Sequence, residues 1–215
     1  MSRTAAGEPF LRHHFATPEQ QFEAGKIGMW LFLVTEILLF GGLFVGYGLM
    51  RSRHPAAFSD AHRHLDRILG LLNTVVLLVS SFTMVMAVHA ARTDRRKRLI
   101  AFLALTLVFA GVFLGIKYIE YSHKFHEGLL PGKFYSHKGD TVPGQFQFFS
   151  FYFMMTGLHG IHILGGMGAI LWVLRRSVQG KFSSRYYTPV DLVGLYWHLV
   201  DLIWIYLFPL LYLIR

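Results

Sequence analysis

Cysteine is absent from the 215-residue sequence, so disulfides, thiolate metal sites and cysteine nucleophiles are all excluded. Charge is also scarce: 15% of the residues are Asp, Glu, Lys or Arg, against about 25% in a typical soluble domain. Hydrophobic residues make up 53% and aromatic residues 16%, and the mean hydropathy is +0.42. This balance predicts a chain that lies in a membrane, with aromatic belts at the interfaces.

Five apolar runs are long enough to cross a bilayer as helices, which takes roughly 20 residues each. We therefore predict an all-α membrane protein in which five transmembrane helices form one bundle. The first 25 residues are polar and lack the apolar core of a signal peptide, so 1–25 are expected to form a cytoplasmic tail. The predicted spans of the membrane domain 26–215 are 27–50, 68–91, 99–120, 146–174 and 190–213.

The basic residues of the loops predict the orientation of the bundle. Five of the seven residues in the short segment 92–98 are Arg or Lys, and such loops tend to stay in the cytoplasm. We therefore expect the N-terminus inside and the C-terminus outside, with segment 92–98 near anionic lipid headgroups. The same bias accounts for the net charge of +9 without a nucleic-acid partner.

Acidic and basic side chains inside the predicted spans are costly unless they face protein or water. Glu36 falls near the middle of the first span, where two interpretations remain open. It could exchange protons, or it could be a neutral carboxyl that is hydrogen-bonded to a neighbouring helix. Lys117 and Glu120, three residues apart near the end of the third span, are expected to form a partly solvated ion pair.

Histidines and an aspartate share helix faces in the last two spans, because His159 and His162, and likewise His198 and Asp201, are three residues apart. Imidazole and carboxylate can bind metals, but the repeated Glu-x-x-His motif of di-iron bundles is missing. We therefore expect interhelical hydrogen bonds and no metal site, since buried polar groups in a membrane need partners. The predicted buried polar network comprises Glu36, Glu120, His159, His162, His198 and Asp201.

Five segments also carry sequence motifs in a defined order. They are 28–36 ending in Thr-Glu, 72–81 beginning with Leu-Asn-Thr, 115–121 ending in Glu-Tyr, Thr-Gly-x-His-Gly-x-His at 156–162, and Tyr-Trp-His-x-Val-Asp-x-x-Trp at 196–204. In this order they resemble the subunit III family of the haem–copper oxidases. Larger members have seven spans, so the chain is similar to the short five-helix bacterial form. Lys117 departs from the family pattern, because many members have Gln there.

The resemblance implies a non-catalytic subunit of a respiratory oxidase in a bacterial inner membrane, first of all an aa3- or caa3-type cytochrome c oxidase. Its partners would be subunits I and II, which would hold the haem and copper, and the assembly could extend to a respiratory supercomplex. The subunit would hold no cofactor of its own, would support proton uptake, and would bind phospholipid near Glu36 and Arg176.

Alternatives remain open at this point. Within the family, the chain could be subunit III of a quinol oxidase or a homologue that accompanies nitric oxide reductases. Outside it, the chain could be a metal-dependent membrane enzyme or a small transporter that uses Glu36 as a proton carrier. The transporter is disfavoured, because such proteins usually show inverted repeats with broken helices.

Overall fold

The computed structural model describes residues 15–131 and 144–213. Within them, five helices are long and apolar enough to cross a membrane, as predicted. Residues 1–14 of the predicted tail lie outside the described residues, and the first long helix already begins at Pro18. The long helices are α1 (Pro18–Arg53), α3 (Arg67–Arg92), α4 (Arg96–His126), α5 (Gln145–Val178) and α6 (Thr188–Tyr212); the short helix α2 (Pro55–Ala61) and a 3₁₀ turn (His62–His64) connect α1 to α3.

The ends of the helices meet in two groups. At the end that we call the basic end, the start of α1 meets the start of α6, where the rings of Phe22 and Tyr187 are 6.0 Å apart. The turn between α3 and α4 and the loop between α5 and α6 lie there as well, because Ser184 donates its backbone N–H to Asp94. At the opposite, capped end, α2 covers the bundle by burying Phe58.

Glycines let neighbouring helices approach closely at two places. A Cβ atom at Gly166 of α5 would lie 2.8 Å from the Trp197 ring of α6, and one at Gly70 of α3 would lie 2.9 Å from the Tyr212 ring. Both distances are shorter than real Cβ contacts, so only glycine fits there. Small residues at helix crossings are a common device in membrane bundles, and here they seat the two large aromatic rings of α6.

Helix α1 is attached to the bundle by a narrow stripe. Its buried residues, Leu33, Phe40 and Tyr47, are seven residues apart and therefore lie on one face. The Tyr47 hydroxyl donates to the Leu210 carbonyl of α6 at 2.9 Å. Most other apolar side chains of α1 are exposed in the isolated chain, so this helix has the smallest share of its surface inside the protein.

Candidate functional site

Lys117 and Glu120 form the most extensive polar cluster of the interior. The Lys117 ammonium donates to Glu120 Oε2 at 2.9 Å, to the Tyr212 hydroxyl at 2.7 Å and to the Tyr152 hydroxyl at 3.4 Å. Both hydroxyls in turn donate to Glu120 Oε1, at 2.9 Å for Tyr152 and 2.5 Å for Tyr212. All three ammonium protons and both carboxylate oxygens are therefore used, and the cluster joins α4, α5 and α6.

The prediction that this ion pair is partly solvated is wrong. The Lys117 side chain is 9% exposed and that of Glu120 is 2% exposed. Helix α4 continues to His126, so the pair does not lie at the helix end. The ammonium also lies 4.7 Å from the centre of the Trp204 ring, which adds a favourable cation–π contact.

Glu36 of α1 and His162 of α5 form a second pair, with 2.8 Å between Glu36 Oε2 and His162 Nε2. The other ring nitrogen, Nδ1, lies 2.8 Å from the Leu158 carbonyl. A carbonyl only accepts hydrogen bonds, so Nδ1 carries a proton. One further proton is then shared between Nε2 and the carboxyl, and the pair is neutral overall whichever atom holds it.

His159 lies one turn from His162 but has different surroundings. It is fully buried, and neither ring nitrogen has a hydrogen-bond partner among the described residues. The ring packs instead between Phe113, 5.5 Å away by ring centres, and Trp204, 5.3 Å away. It therefore contributes mainly aromatic packing between α4, α5 and α6.

His198 and Asp201 of α6 face α3. His198 Nδ1 lies 2.8 Å from the Ser81 hydroxyl. Neither carboxylate oxygen of Asp201 has a hydrogen-bond partner within the described part of the chain. Asp201 is 3% exposed, so its carboxyl is buried without a donor.

The predicted polar network therefore needs correction. The structure brings Glu36 and His162 together, but it places Glu120 in the separate cluster with Lys117. Asp201 bonds to none of the imidazoles, because His159 is enclosed by aromatic rings and His198 pairs with Ser81. In residues 15–131 and 144–213, no group of three or more His, Asp or Glu side chains is placed to hold a metal ion.

Several basic residues at the basic end contact protein. Arg92 forms an ion pair with Asp191 of α6, with 2.6 Å between Nη2 and Oδ1. Arg96 donates to the Ser177 and Val178 carbonyls at the end of α5. Segment 92–98 thus ties α3 and α4 to α5 and α6, a role that the expectation of lipid contact did not include.

Arg176, the residue predicted to lie near a lipid headgroup, is exposed at the same end. Its guanidinium lies 4.6 Å from the centre of the Trp172 ring. Trp172 lines a largely apolar groove of about 550 Å³, whose other walls include Gly25 of α1 and Leu192 of α6. Arg176 therefore lies beside an aromatic residue that lines an apolar groove.

Sequence reasoning missed Ser81, Tyr152 and Tyr212 as members of polar sites. Serine and tyrosine are ordinary residues in membrane helices, and each contacts a partner that is distant in the sequence. The only indication in the sequence was the spacing of Lys117 and Glu120. An ion pair buried inside a span requires further hydrogen-bond donors and acceptors nearby.

Comparisons with known proteins agree with this architecture. The family model of cytochrome c oxidase subunit III matches residues 8–214. A probable cytochrome c oxidase subunit 3 of Nocardia farcinica is 31% identical over 190 residues, which cover 88% of each chain. A probable quinol oxidase subunit 3 of Staphylococcus saprophyticus is 28% identical, over 95% of this chain and 97% of the relative. A probable quinol oxidase subunit 3 of Staphylococcus aureus is 29% identical, over 89% of this chain and 90% of the relative.

These matches indicate that the chain is a multi-pass membrane protein of the respiratory chain that assembles with other oxidase subunits. The chain belongs to the subunit III family of the haem–copper oxidases.

Proposed function

We propose that this chain is the non-catalytic subunit III of a bacterial aa3- or caa3-type cytochrome c oxidase in the inner membrane, in contact with subunits I and II. The best support for a non-catalytic role is that titratable side chains of the interior are paired with other side chains of the bundle. Glu36 of α1 pairs with His162 of α5, and the Lys117–Glu120 pair of α4 bonds to the hydroxyls of Tyr152 in α5 and Tyr212 in α6. Side chains used in this way hold helices together.

The electron donor is the first point to test. The matches include relatives named for cytochrome c oxidase and for quinol oxidase, so quinol oxidase is the second candidate. Affinity purification of the tagged chain from mild detergent should yield a haem-bearing complex that oxidises reduced cytochrome c. A complex that oxidises only quinols would replace the first assignment with the second, and a chain that purifies without haem proteins would contradict both.

We further propose that haem and copper belong to the partner chains alone. The support comes from the contacts of the candidate ligands, because His162 binds Leu158 and Glu36 through its two ring nitrogens. Metal and haem analysis of the separated subunit is the test. One tightly bound transition metal or haem per chain would overturn the proposal.

The groove beside Trp172 is our candidate for the phospholipid. Gly25, Trp172 and Leu192 contribute apolar surface for acyl chains, and Arg176 offers a cation for the phosphate. Arg176→Gln should lower the lipid phosphorus that co-purifies with the complex, whereas the matched variant Arg175→Gln should leave it unchanged. Equal phosphorus in both variants and the wild type would place the lipid elsewhere.

The basic end is proposed to face the cytoplasm, on the positive-inside argument. Arg95 lies exposed in the turn between α3 and α4. A cysteine at this position should react with an impermeant thiol reagent in inside-out membrane vesicles and stay unlabelled in intact spheroplasts. The reverse pattern would invert the bundle.

A further inference from the structure

A cleft of about 310 Å³ separates α3 from α6 at the basic end. Half of the eight residues that line it can carry a charge, although all of them belong to membrane-spanning helices. They are His89 and Arg92 of α3 and Asp191 and His198 of α6. Intramembrane groups of this kind usually face protein or water rather than lipid, so the contents of this cleft need an explanation.

Arg92 and Asp191, which form an ion pair, line the cleft at the basic end, where the Arg92 side chain is 51% exposed. Ser81, near the deep end, is eleven residues from Arg92 along α3. At 1.5 Å per residue this separation is about 16 Å, which puts Ser81 close to the middle of the helix. The lining of the cleft reaches His198, which contacts Ser81, so the cleft leads from the basic end toward the centre of the span.

Three polar atoms at the deep end, one of His198 and two of Asp201, lack partners among the described residues. His198 Nδ1 is engaged by the Ser81 hydroxyl, while its Nε2 has no partner among the described residues. Asp201, one turn further along α6, is buried with both carboxylate oxygens unpaired within that same part of the chain. An ionised carboxylate without donors in a dry interior is very costly, so this site requires a donor, a proton or both.

We propose that the cleft is a water-filled inlet and that Ser81, His198 and Asp201 at its deep end bind a proton delivered through it. Its volume far exceeds the roughly 10–15 Å³ that one water needs. Water would supply a partner for His198 Nε2 and donors for the carboxyl. A lipid acyl chain could fill the same space but would leave both groups unsatisfied.

The proposed route for the proton runs from His198 through Ser81, its hydrogen-bonded neighbour on α3, to Asp201, which lies one turn further along α6. Water in the cleft gives a proton to His198 Nε2, and the Nδ1 proton passes to the Ser81 hydroxyl oxygen. That hydroxyl releases its own proton to Asp201. His198 and Ser81 end neutral, Asp201 gains one proton, and the water of the cleft loses one, which bulk water replaces.

Cysteine reactivity tests the inlet in the assembled complex in its native membrane. This chain has no cysteine of its own, so a single introduced thiol can be followed specifically. Only thiolates react, and a thiolate forms readily only in contact with water. Ser81→Cys should therefore react with a small charged thiol reagent an order of magnitude faster than either neighbouring control. The two controls are Phe82→Cys and Ser80→Cys. Phe82 is 62% exposed on the outer surface of α3, and Ser80 is buried against Trp197.

The results distinguish water from lipid as the occupant of the cleft, and they show from which side of the membrane the cleft is entered. A rate for Ser81→Cys equal to that of Phe82→Cys would overturn the proposal and indicate that lipid fills the cleft. Reaction should also be limited to the side of the membrane on which Arg95→Cys is labelled. Labelling from the other side alone would equally contradict an inlet from the basic end. Neither the labelling rates nor the side of labelling depends on which electron donor the oxidase uses.

Infrared difference spectroscopy tests the bound proton. Asp201→Asn is nearly isosteric, and it should remove one protonated-carboxyl stretching band from the spectrum of the oxidase. In the wild type that band should shift in D₂O, because the inlet lets the proton exchange. Asp191→Asn is the matched control, since the ion-paired Asp191 carboxylate contributes no such band. If Asp201→Asn removes no band, or if the band is insensitive to D₂O, the proton site is refuted.

Discussion

Lys117 and Glu120 meet in the interior of the bundle, whereas Glu36 and His162 meet at its edge, between α1 and α5. The interior pair has two tyrosine hydroxyls as additional partners and joins three helices. The edge pair depends on one interhelical contact of 2.8 Å, and its side chains are 13–14% exposed. Both pairs contain a carboxyl and a base, so the difference lies in how completely each is satisfied.

This difference follows from the cost of charge in a membrane. Two full charges persist in a low-dielectric interior only where every donor and acceptor has a partner, and the tyrosines complete that set for Lys117 and Glu120. Glu36 and His162 need only one shared proton to be neutral, so they tolerate a position near lipid. We therefore expect the interior cluster to control the stability of the bundle and the edge pair to control the seating of α1.

The largest effect should come from Lys117→Met. This variant leaves the Glu120 carboxylate without its counter-charge in the interior, at a cost of about 3–5 kcal/mol. The subunit should be lost from the complex during purification, as gel analysis and thermal stability would show. The exposed Lys97→Met serves as control and should behave as wild type.

A double variant separates charge balance from side-chain packing. Lys117→Met combined with Glu120→Gln removes both charges and keeps a carbonyl for the two tyrosine hydroxyls. Replacement of both partners of a buried pair is often nearly neutral, so retention of the subunit should recover. If the double variant is lost as readily as the single one, the cluster acts through shape and not through charge.

A smaller effect is expected from Tyr212→Phe. The change removes one donor to Glu120 and one acceptor for Lys117 while the ring stays in place. A hydrogen bond to a charged group contributes about 1.5–3 kcal/mol, so the thermal midpoint of subunit release should fall without complete loss. Tyr206→Phe, on an exposed part of α6, is the control. Equal midpoints for the two variants would show that the tyrosine hydroxyl is dispensable.

At the edge pair, Glu36→Leu should cost less again. Interhelical hydrogen bonds in membranes average about 0.6 kcal/mol and reach roughly 1.7. The subunit should remain bound, but α1 should exchange its amide hydrogens faster around Leu33. Glu36→Gln should stay close to wild type in assembly and turnover, because its amide N–H can donate to His162 Nε2. Complete loss of oxygen reduction in an assembled Glu36→Gln complex would instead make Glu36 an obligatory proton carrier.

The two pairs also show what a sequence can predict. Long apolar runs predict the number of spans because the bilayer sets their length, and the structure has the five long apolar helices that these runs predict. Glu36 and His162 could be proposed as partners because both are rare polar residues at similar depth. The tyrosines of the interior cluster could not, since Tyr152 and Tyr212 lie 32 and 92 residues from Glu120. Only the packing of α4, α5 and α6 brings them together.

A third carboxyl, that of Asp94, lies at a solvent-exposed site and can be compared with the buried pair and the edge pair. It accepts hydrogen bonds from the Ser184 hydroxyl and from the Ser184 backbone N–H, the latter at 2.6 Å, and these lower its pKa below the usual value of 3.8. Its folded-state pKa is lower than its unfolded-state pKa, so the stabilisation is present at neutral pH and is lost as the pH falls through the lowered value.

Asp94 is fully exposed, and we expect this effect to be the smallest of the series. Limited proteolysis of the loop between α5 and α6 should be unchanged between pH 7 and pH 5 in the wild type. In Asp94→Asn the loop should be cut faster over that whole range, because the anionic acceptor is gone. Glu19→Gln, another exposed acid at the basic end, controls for the loss of charge alone. A cutting rate in Asp94→Asn that matches Glu19→Gln would show that solvent screening leaves this carboxyl without influence, in contrast to the buried and edge pairs.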